Sequence, residues 1–263
     1  MACRYWSELT AADLSRVNPE RTVAVIPVAA IEQHGPHLPL GTDAFIAEGM
    51  IAEVFKNPPA AVDALFLPVQ KIGKSNEHVR WPGTLTFNAA TLLQAWTEIG
   101  EAVNRGGVRK AVFVNSHGGN SDILSVVARE LRVRFDMLAV HTHWMRFGYP
   151  AGIYTEEEIL HGIHAGDIET SLMLYFRPDL VGTDKLRNFE PASARIAKEF
   201  TLIRLSPPHA FAWMAQDLNP AGAAGDATLA TAEKGRLTAA HQAAGFARLL
   251  EEVAAFSLEH IVP

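Results

Sequence analysis

The chain alternates between short, nearly unbroken apolar runs and longer stretches that mix apolar and polar residues at helical spacing. The runs are "TVAVIPVAAI" (22–31), "ALFLPVQ" (64–70), "KAVFVNS" (110–116) and "MLAVHTH" (137–143). Runs this short, without polar alternation, suit strands buried on both faces, as in a parallel sheet. Between them, residues 43–56 open on Asp43 and continue with helical spacing. Residues 88–105 start at Asn88, a good N-cap, and stop at Gly106-Gly107, and residues 121–134 follow "HGGN". Strand and helix signals in alternation predict an α/β fold with a mostly parallel sheet and helices on both faces.

The second half reads differently. Residues 167–176, "DIETSLMLYF", predict a helix stopped by Arg177-Pro178. Residues 204–225, rich in Pro, Ala and Gly, predict a loop, and residues 226–257 predict a closing helix. No repeat and no long polar linker divides the chain, so residues 1–263 are expected to form a single domain.

Bulk chemistry narrows the function classes. The net charge of −6, with no Lys/Arg cluster, argues against nucleic acid as a partner. The single cysteine, Cys3, permits no internal disulfide and no thiolate cage. No apolar run reaches the roughly 18 residues of a membrane span, and the first residues lack the apolar core of a signal peptide. The expectation is a soluble, cytoplasmic protein acting on a small molecule, without a membrane or nucleic-acid partner.

The chemistry concentrates where strands end. "IEQHGPHLPLGTD" (31–43) holds Glu32, His34, His37 and Asp43 among glycines and prolines. If the strand runs on through Glu32 and His34, residues two apart face the same side. They then project beyond the carboxyl end of the strand, where open α/β sheets keep their sites. Asp43 reads either as the N-cap of the following helix or as a third member of the set. Carboxylates and imidazoles together suit divalent zinc, manganese or iron.

"VNSHGGN" (114–120) ends another strand on His117, with Gly118 and Gly119 allowing close backbone approach to a ligand. Alone, this is an ordinary turn with Asn120 as cap; beside Glu32, His117 becomes a ligand candidate. In "HGIHAGDIETSLML" (161–174), His164 sits in a glycine-flexed loop and Glu169 near a helix start, where the helix dipole alone would favour an acid. His161 reads as structural or solvated. "GKSNEHVRWPGT" (73–84) offers Ser75, Glu77 and His78 to a pocket, as substrate contacts or as plain loop polarity. Trp144, at a strand end, reads either as a lid over a flat substrate or as a core residue. His141 and His143 form a possible pair that nothing nearby completes.

These motifs resemble the creatininase family of metal-dependent amidohydrolases. The resemblance is carried by "EQHGPHLPLGTD" (32–43), "WPGT" (81–84), "NSHGGN" (115–120) and "HAGDIETSLML" (164–174), and more weakly by "GDATLATAEKG" (225–235). It implies a three-layer αβα sandwich with a mostly parallel sheet, a binuclear metal centre and a homo-oligomer, often a hexamer in the family. Glu32 and His34 match ligands to one metal each. Asp43 matches the bridging carboxylate, and His117 a ligand to the metal of Glu32. His164 matches a catalytic histidine, and Trp144 falls loosely where the namesake enzyme has a tryptophan near its substrate. One departure stands out: the namesake carries a glutamate that binds the second metal where this chain has Gly119. Glu169, or water, is expected to supply that missing ligand, and Glu169 is therefore expected to be both metal-binding and catalytic.

The implied reaction is attack of a metal-bridged hydroxide on the amide carbonyl of a small cyclic amide or formamide. The metal stabilises the tetrahedral charge, and His164 donates to the leaving nitrogen. Ser75, Glu77, His78, Trp144 and Gly118 are the expected substrate contacts. Two other readings stay open: a hydrolase of an oxidised inositol-type ring, breaking a C–C bond, and a non-catalytic metal-binding protein on the same fold.

Overall fold

In the computed structural model, which describes residues 3–60 and 62–261, five parallel strands form one sheet. They are β1 (Cys3–Tyr5), β2 (Thr22–Val28), β3 (Asp63–Phe66), β4 (Lys110–Asn115) and β5 (Leu138–His143), in the order β1-β3-β2-β4-β5. Residues 1 and 2, part of the segment read for a signal peptide, lie outside the described residues. Every residue of β2 and β4 is buried, which is why these segments carry no polar alternation. The register pairs Val28 with Asn115, and Asn115 with His143. The chain therefore leaves β2, β4 and β5 side by side at one edge of the sheet.

Among the described residues, five helices of ten residues or more cover the sheet: α1 (Thr42–Lys56), α2 (Ala89–Arg105), α3 (Ser121–Phe135), α4 (Asp167–Phe176) and α5 (Ala232–Ala255). Alternate strand residues serve opposite layers. Ala24, Ile26 and Phe113 pack with Leu92 and Trp96 of α2 and Leu124 and Leu131 of α3. Val23, Val25, Val112 and Val114 pack with Met50 of α1, Leu172 of α4, and Phe246 and Leu250 of α5. The result is the expected αβα sandwich. At the edge opposite the strand ends just described, the buried Lys110 at the start of β4 donates to the carbonyls of Glu20 at 2.5 Å, Ala254 at 2.9 Å and Phe256 at 2.6 Å. It thus ties the end of α5 to the sheet.

The helix signals acted as read in α2. The Asn88 side chain accepts from the Thr91 N–H at 2.8 Å, and the chain leaves the helix through Gly107 at φ +85°. Three boundaries differ. First, β2 ends at Val28, before Glu32 and His34. Its last carbonyl accepts from Ser116 N, and from there the backbone of 29–32 pairs with Gln70, Leu40 and Leu85 instead of a strand ladder. Second, the closing helix begins at Ala232, capped by Thr231, because the Asp226 side chain holds the Thr228 N–H in a separate turn. Third, the 204–225 loop contains a single helical turn, Ala215–Leu218, and ends in a short strand. That strand, β7 (Gly225–Asp226), pairs antiparallel with β6 (Asn188–Phe189). Among the described residues, no helix is long and apolar enough to cross a membrane.

Candidate metal centre

Four segments meet beyond the carboxyl edge of the sheet. The 29–41 segment brings Glu32 and His34, the first turn of α1 brings Asp43, and the turn after β4 brings His117. The loop into α4, with its first turn, brings His164 and Glu169. Glu32, His34, Asp43, His117 and His164 are all buried, and Glu169 is partly buried. Asp43 does not cap its helix: Gly41 is the N-cap residue, and Asp43 Oδ2 is buried with no hydrogen bond.

Backbone carbonyls fix the histidine tautomers. A carbonyl only accepts, so a ring nitrogen facing one carries the proton. His34 Nδ1 donates to Glu32 O at 3.0 Å, His117 Nε2 to Lys74 O at 2.8 Å, and His164 Nε2 to Gln33 O at 2.8 Å. The remaining ring nitrogens, which carry lone pairs, face carboxylates. His34 Nε2 lies 3.3 Å from Asp43 Oδ1, and His117 Nδ1 lies 3.2 Å from Glu32 Oε1 and 3.5 Å from Asp43 Oδ2. His164 Nδ1 lies 3.8 Å from Glu32 Oε1. A lone pair facing a carboxylate is unfavourable unless a cation or a proton lies between them.

The unpaired atoms say the same. Both Glu32 oxygens, His34 Nε2 and Asp43 Oδ2 are buried without a hydrogen-bond partner. Buried charge of this kind needs compensation, and metal coordination provides it. The donor atoms fall into three groups close enough to share an ion: Glu32, His34 and His164; Glu32, Glu77 and His117; and His34, Asp43 and Glu169. Asp43 presents one oxygen toward each of His34 and His117, as a bridging carboxylate would. The residues therefore fit a divalent metal centre, with carboxylate and imidazole donors and no thiolate.

Without metal, protons take the cation's place. Burial opposes charge on Glu32, yet the His117, His78 and His34 imidazoles hold it well below the ordinary carboxylate range. Burial also disfavours a charged His34, but Asp43, Glu169 and Glu32 outweigh it and raise the imidazole to about 9. His117 is raised well above 6.5 against burial by Glu32, Glu77 and Asp43. Burial, with Asp43 and against His34, lifts Glu169 to about 7. His164 goes the other way, pushed well below 6.5 by burial and by His34 and His78.

The other expected contacts divide. Gly118 is exposed, and a side chain there would meet nothing within 4 Å, so its backbone is open to a ligand. Ser75 and His78 are buried within the centre rather than lining an open pocket: Ser75 Oγ lies 3.4 Å from His117 Nε2, and His78 Nε2 lies 3.3 Å from Glu32 Oε1. Trp144 is 3% exposed and packs on Phe246 with ring centroids 4.8 Å apart, so it occupies its core alternative and not the lid. Glu169 Oε2 lies 3.9 Å from His34 Nε2 and accepts from Ala165 N at 2.6 Å. It groups with His34 and Asp43, whereas Gly119 lies beside His117. His141 and His143 join no metal-capable group among the described residues.

One organising residue was missed. The buried Gln33 amide donates to Gly222 O at 2.8 Å and accepts from Gly35 N at 3.0 Å, which fixes its orientation. Its nitrogen faces His78 Nδ1 at 2.8 Å, so His78 carries its proton on Nε2, toward Glu32. The only cue in the sequence was position, between two ligand candidates.

Comparison with known proteins places this geometry. The family model for creatininase, described as creatinine amidohydrolase, matches residues 7–250. The mycofactocin precursor peptide peptidase of Mycolicibacterium smegmatis is 36% identical over 167 residues, and the match spans 62% of each chain. The creatinine amidohydrolase of Pseudomonas putida is 31% identical over 204 residues, 72% of this chain and 75% of that one. A solved mutant creatininase of Zn–Zn type is 27% identical with a TM-score of 0.75, covering 94% of this chain and 97% of its own.

Proposed function

The chain belongs to the creatininase family and is a hydrolase of amide C–N bonds, and from that premise we propose that it holds two divalent ions, zinc foremost, and cleaves an amide bond of a peptide substrate. The observation that carries the binuclear reading is Asp43, whose two oxygens face His34 Nε2 at 3.3 Å and His117 Nδ1 at 3.5 Å. Glu32, Asp43 and His117 would hold one ion; His34, Asp43 and Glu169 would hold the other. When bound, such ions polarise a carbonyl and lower the pKa of water.

The remaining work falls to side chains. His164 is neutral, its Nε2 proton is held by Gln33 O, and Nδ1 is left as a base. It takes a proton from the attacking water and returns it to the leaving nitrogen. His78 turns its Nε2 proton toward Glu32 Oε1, 3.3 Å away, and its partial positive charge favours that carboxylate pointing into the centre. The open backbone at Gly118 admits the substrate.

Two observations support a peptide. One is the similarity to mycofactocin precursor peptide peptidases. The other is a cleft of about 450 Å³ between Arg80 and Trp81, just after His78, and Gln216, Asp217 and Pro220, just before Gly222. The similarity to creatinine amidohydrolase supports the second reading, a small cyclic amide. The test offers the zinc-loaded protein a mycofactocin-type precursor peptide and creatinine in parallel, followed by mass spectrometry. A shortened peptide with intact creatinine is expected. Ring-opened creatinine with an intact peptide would favour the second reading, and no turnover of any amide would overturn both.

A further inference from the structure

Gly119 reads as a missing ligand, but the space beside it is filled. A Cβ built there would lie 2.3 Å from Lys74 O, 2.6 Å from Glu77 Oε1 and 2.6 Å from His117 Nε2. No side chain fits at 119 while the 73–78 segment lies where it does. That segment is pinned in place. Lys74 N donates to Asn120 Oδ1 at 2.9 Å, Ser75 N donates to Thr86 Oγ1 at 2.8 Å, and the Asn120 amide reaches back to Ala29 O at 3.1 Å. Gly73 shows the same flush fit, since a Cβ there would meet Ala29 O at 2.4 Å. What the segment delivers beside Gly119 is a carboxylate.

We propose that Glu77 is the carboxylate that completes the His117 side of the metal centre, reaching in from the 73–78 segment through the space that Gly119 leaves open. Glu77, Glu32 and His117 each offer a donor atom within 4.8 Å of the others, and Glu77 Oε1 also lies 3.4 Å from the protonated His117 Nε2, which anchors the carboxylate beside that ring. Charge balance points the same way. Glu32, Asp43 and Glu169 bring three negative charges to a centre that, with two divalent ions, carries four positive ones. Glu77 brings the sum of ions and protein carboxylates to neutral, and burial penalises uncompensated charge. Gly119 and Glu77 thus form a matched pair: the absence of a side chain at one is what admits the other.

The inference rests on the binuclear reading above, and the experiment separates the two. Wild type, E77Q and E77D are purified without chelator. Metal per chain is then measured by elemental analysis, and each site's affinity by competition with a chromophoric chelator. Circular dichroism of the chelated forms checks that all three fold alike. Wild type is expected to hold two ions. E77Q should hold one of them at least about tenfold more weakly, and E77D, which keeps the charge, should recover part of the loss. E77Q equal to wild type in count and affinity would overturn the role of Glu77 and leave the binuclear centre standing. A wild-type chain that takes up no ion would overturn both. If E77Q does not fold, E77D decides: affinity unchanged from wild type at both sites would overturn the inference, and a weakened single site would support it.

Discussion

Stripping the metal should soften this protein, and by an amount that grows with pH. The metal-free centre holds unpaired buried atoms on Glu32, His34 and Asp43. It is kept together by protons on imidazoles that the carboxylates raise, His34 to about 9 from an ordinary 6.5. A raised folded-state pKa means the folded chain binds protons that the unfolded chain has released. That stabilisation is full below about pH 6.5 and is lost as pH rises through about 9. His117, also raised, adds in the same direction. A metal uses the same ring nitrogens and must displace those protons, so its binding strengthens over that window. One ion at a thousandfold excess over its dissociation constant stabilises by about 4 kcal/mol. For 263 residues, an unfolding entropy of about 2.1 cal/mol/K per residue turns this into a rise in Tm of about 7 °C per ion. Scanning calorimetry of the chelated and zinc-buffered protein at pH 6.5, 7.5 and 9 measures both slopes. The metal-free Tm should fall across the series while the metal-induced shift widens. A shift that is constant with pH, or a metal-free Tm that climbs from neutrality to pH 9, would refute the assignment of protons and metal to the same atoms.

Two further outcomes follow from single side chains. Asp43→Asn keeps the volume but removes the charge that faces both His34 and His117; metal affinity should fall at least about 100-fold and turnover with it, and full activity in this variant would sink the binuclear scheme. Lys110→Met leaves the Glu20, Ala254 and Phe256 carbonyls without their buried donor. Chemical denaturation should show a loss of about 3 kcal/mol or more with metal content unchanged, and a loss below about 1 kcal/mol would mean that water replaces the ammonium.

How far the sequence could be read depended on whether a signal was local. β2 and β4 were legible because full burial on both faces leaves an unbroken apolar run. The end of β2 was not legible: where a ladder stops is decided by the partner strands, and Ser116 and Gln70 lie far along the chain. As candidates, Glu32, His34 and His117 were legible by residue type after strands, and Asp43 and His164 by residue type at helix starts. Trp144 was ambiguous in principle, since a lid and a core tryptophan leave the same trace after a strand, and only the position of Phe246 separates them. Gly119 is the instructive case. In one dimension it is the loss of a carboxylate, and the nearest unassigned acid in a recognised motif, Glu169, is the natural replacement. In three dimensions Glu169 sits with His34 and Asp43, and the volume beside Gly119 belongs to the 73–78 segment. A lost ligand is best traced by asking which chain segment now occupies its space, because a buried cation selects for total charge and proximity, not for the chain position from which the carboxylate comes.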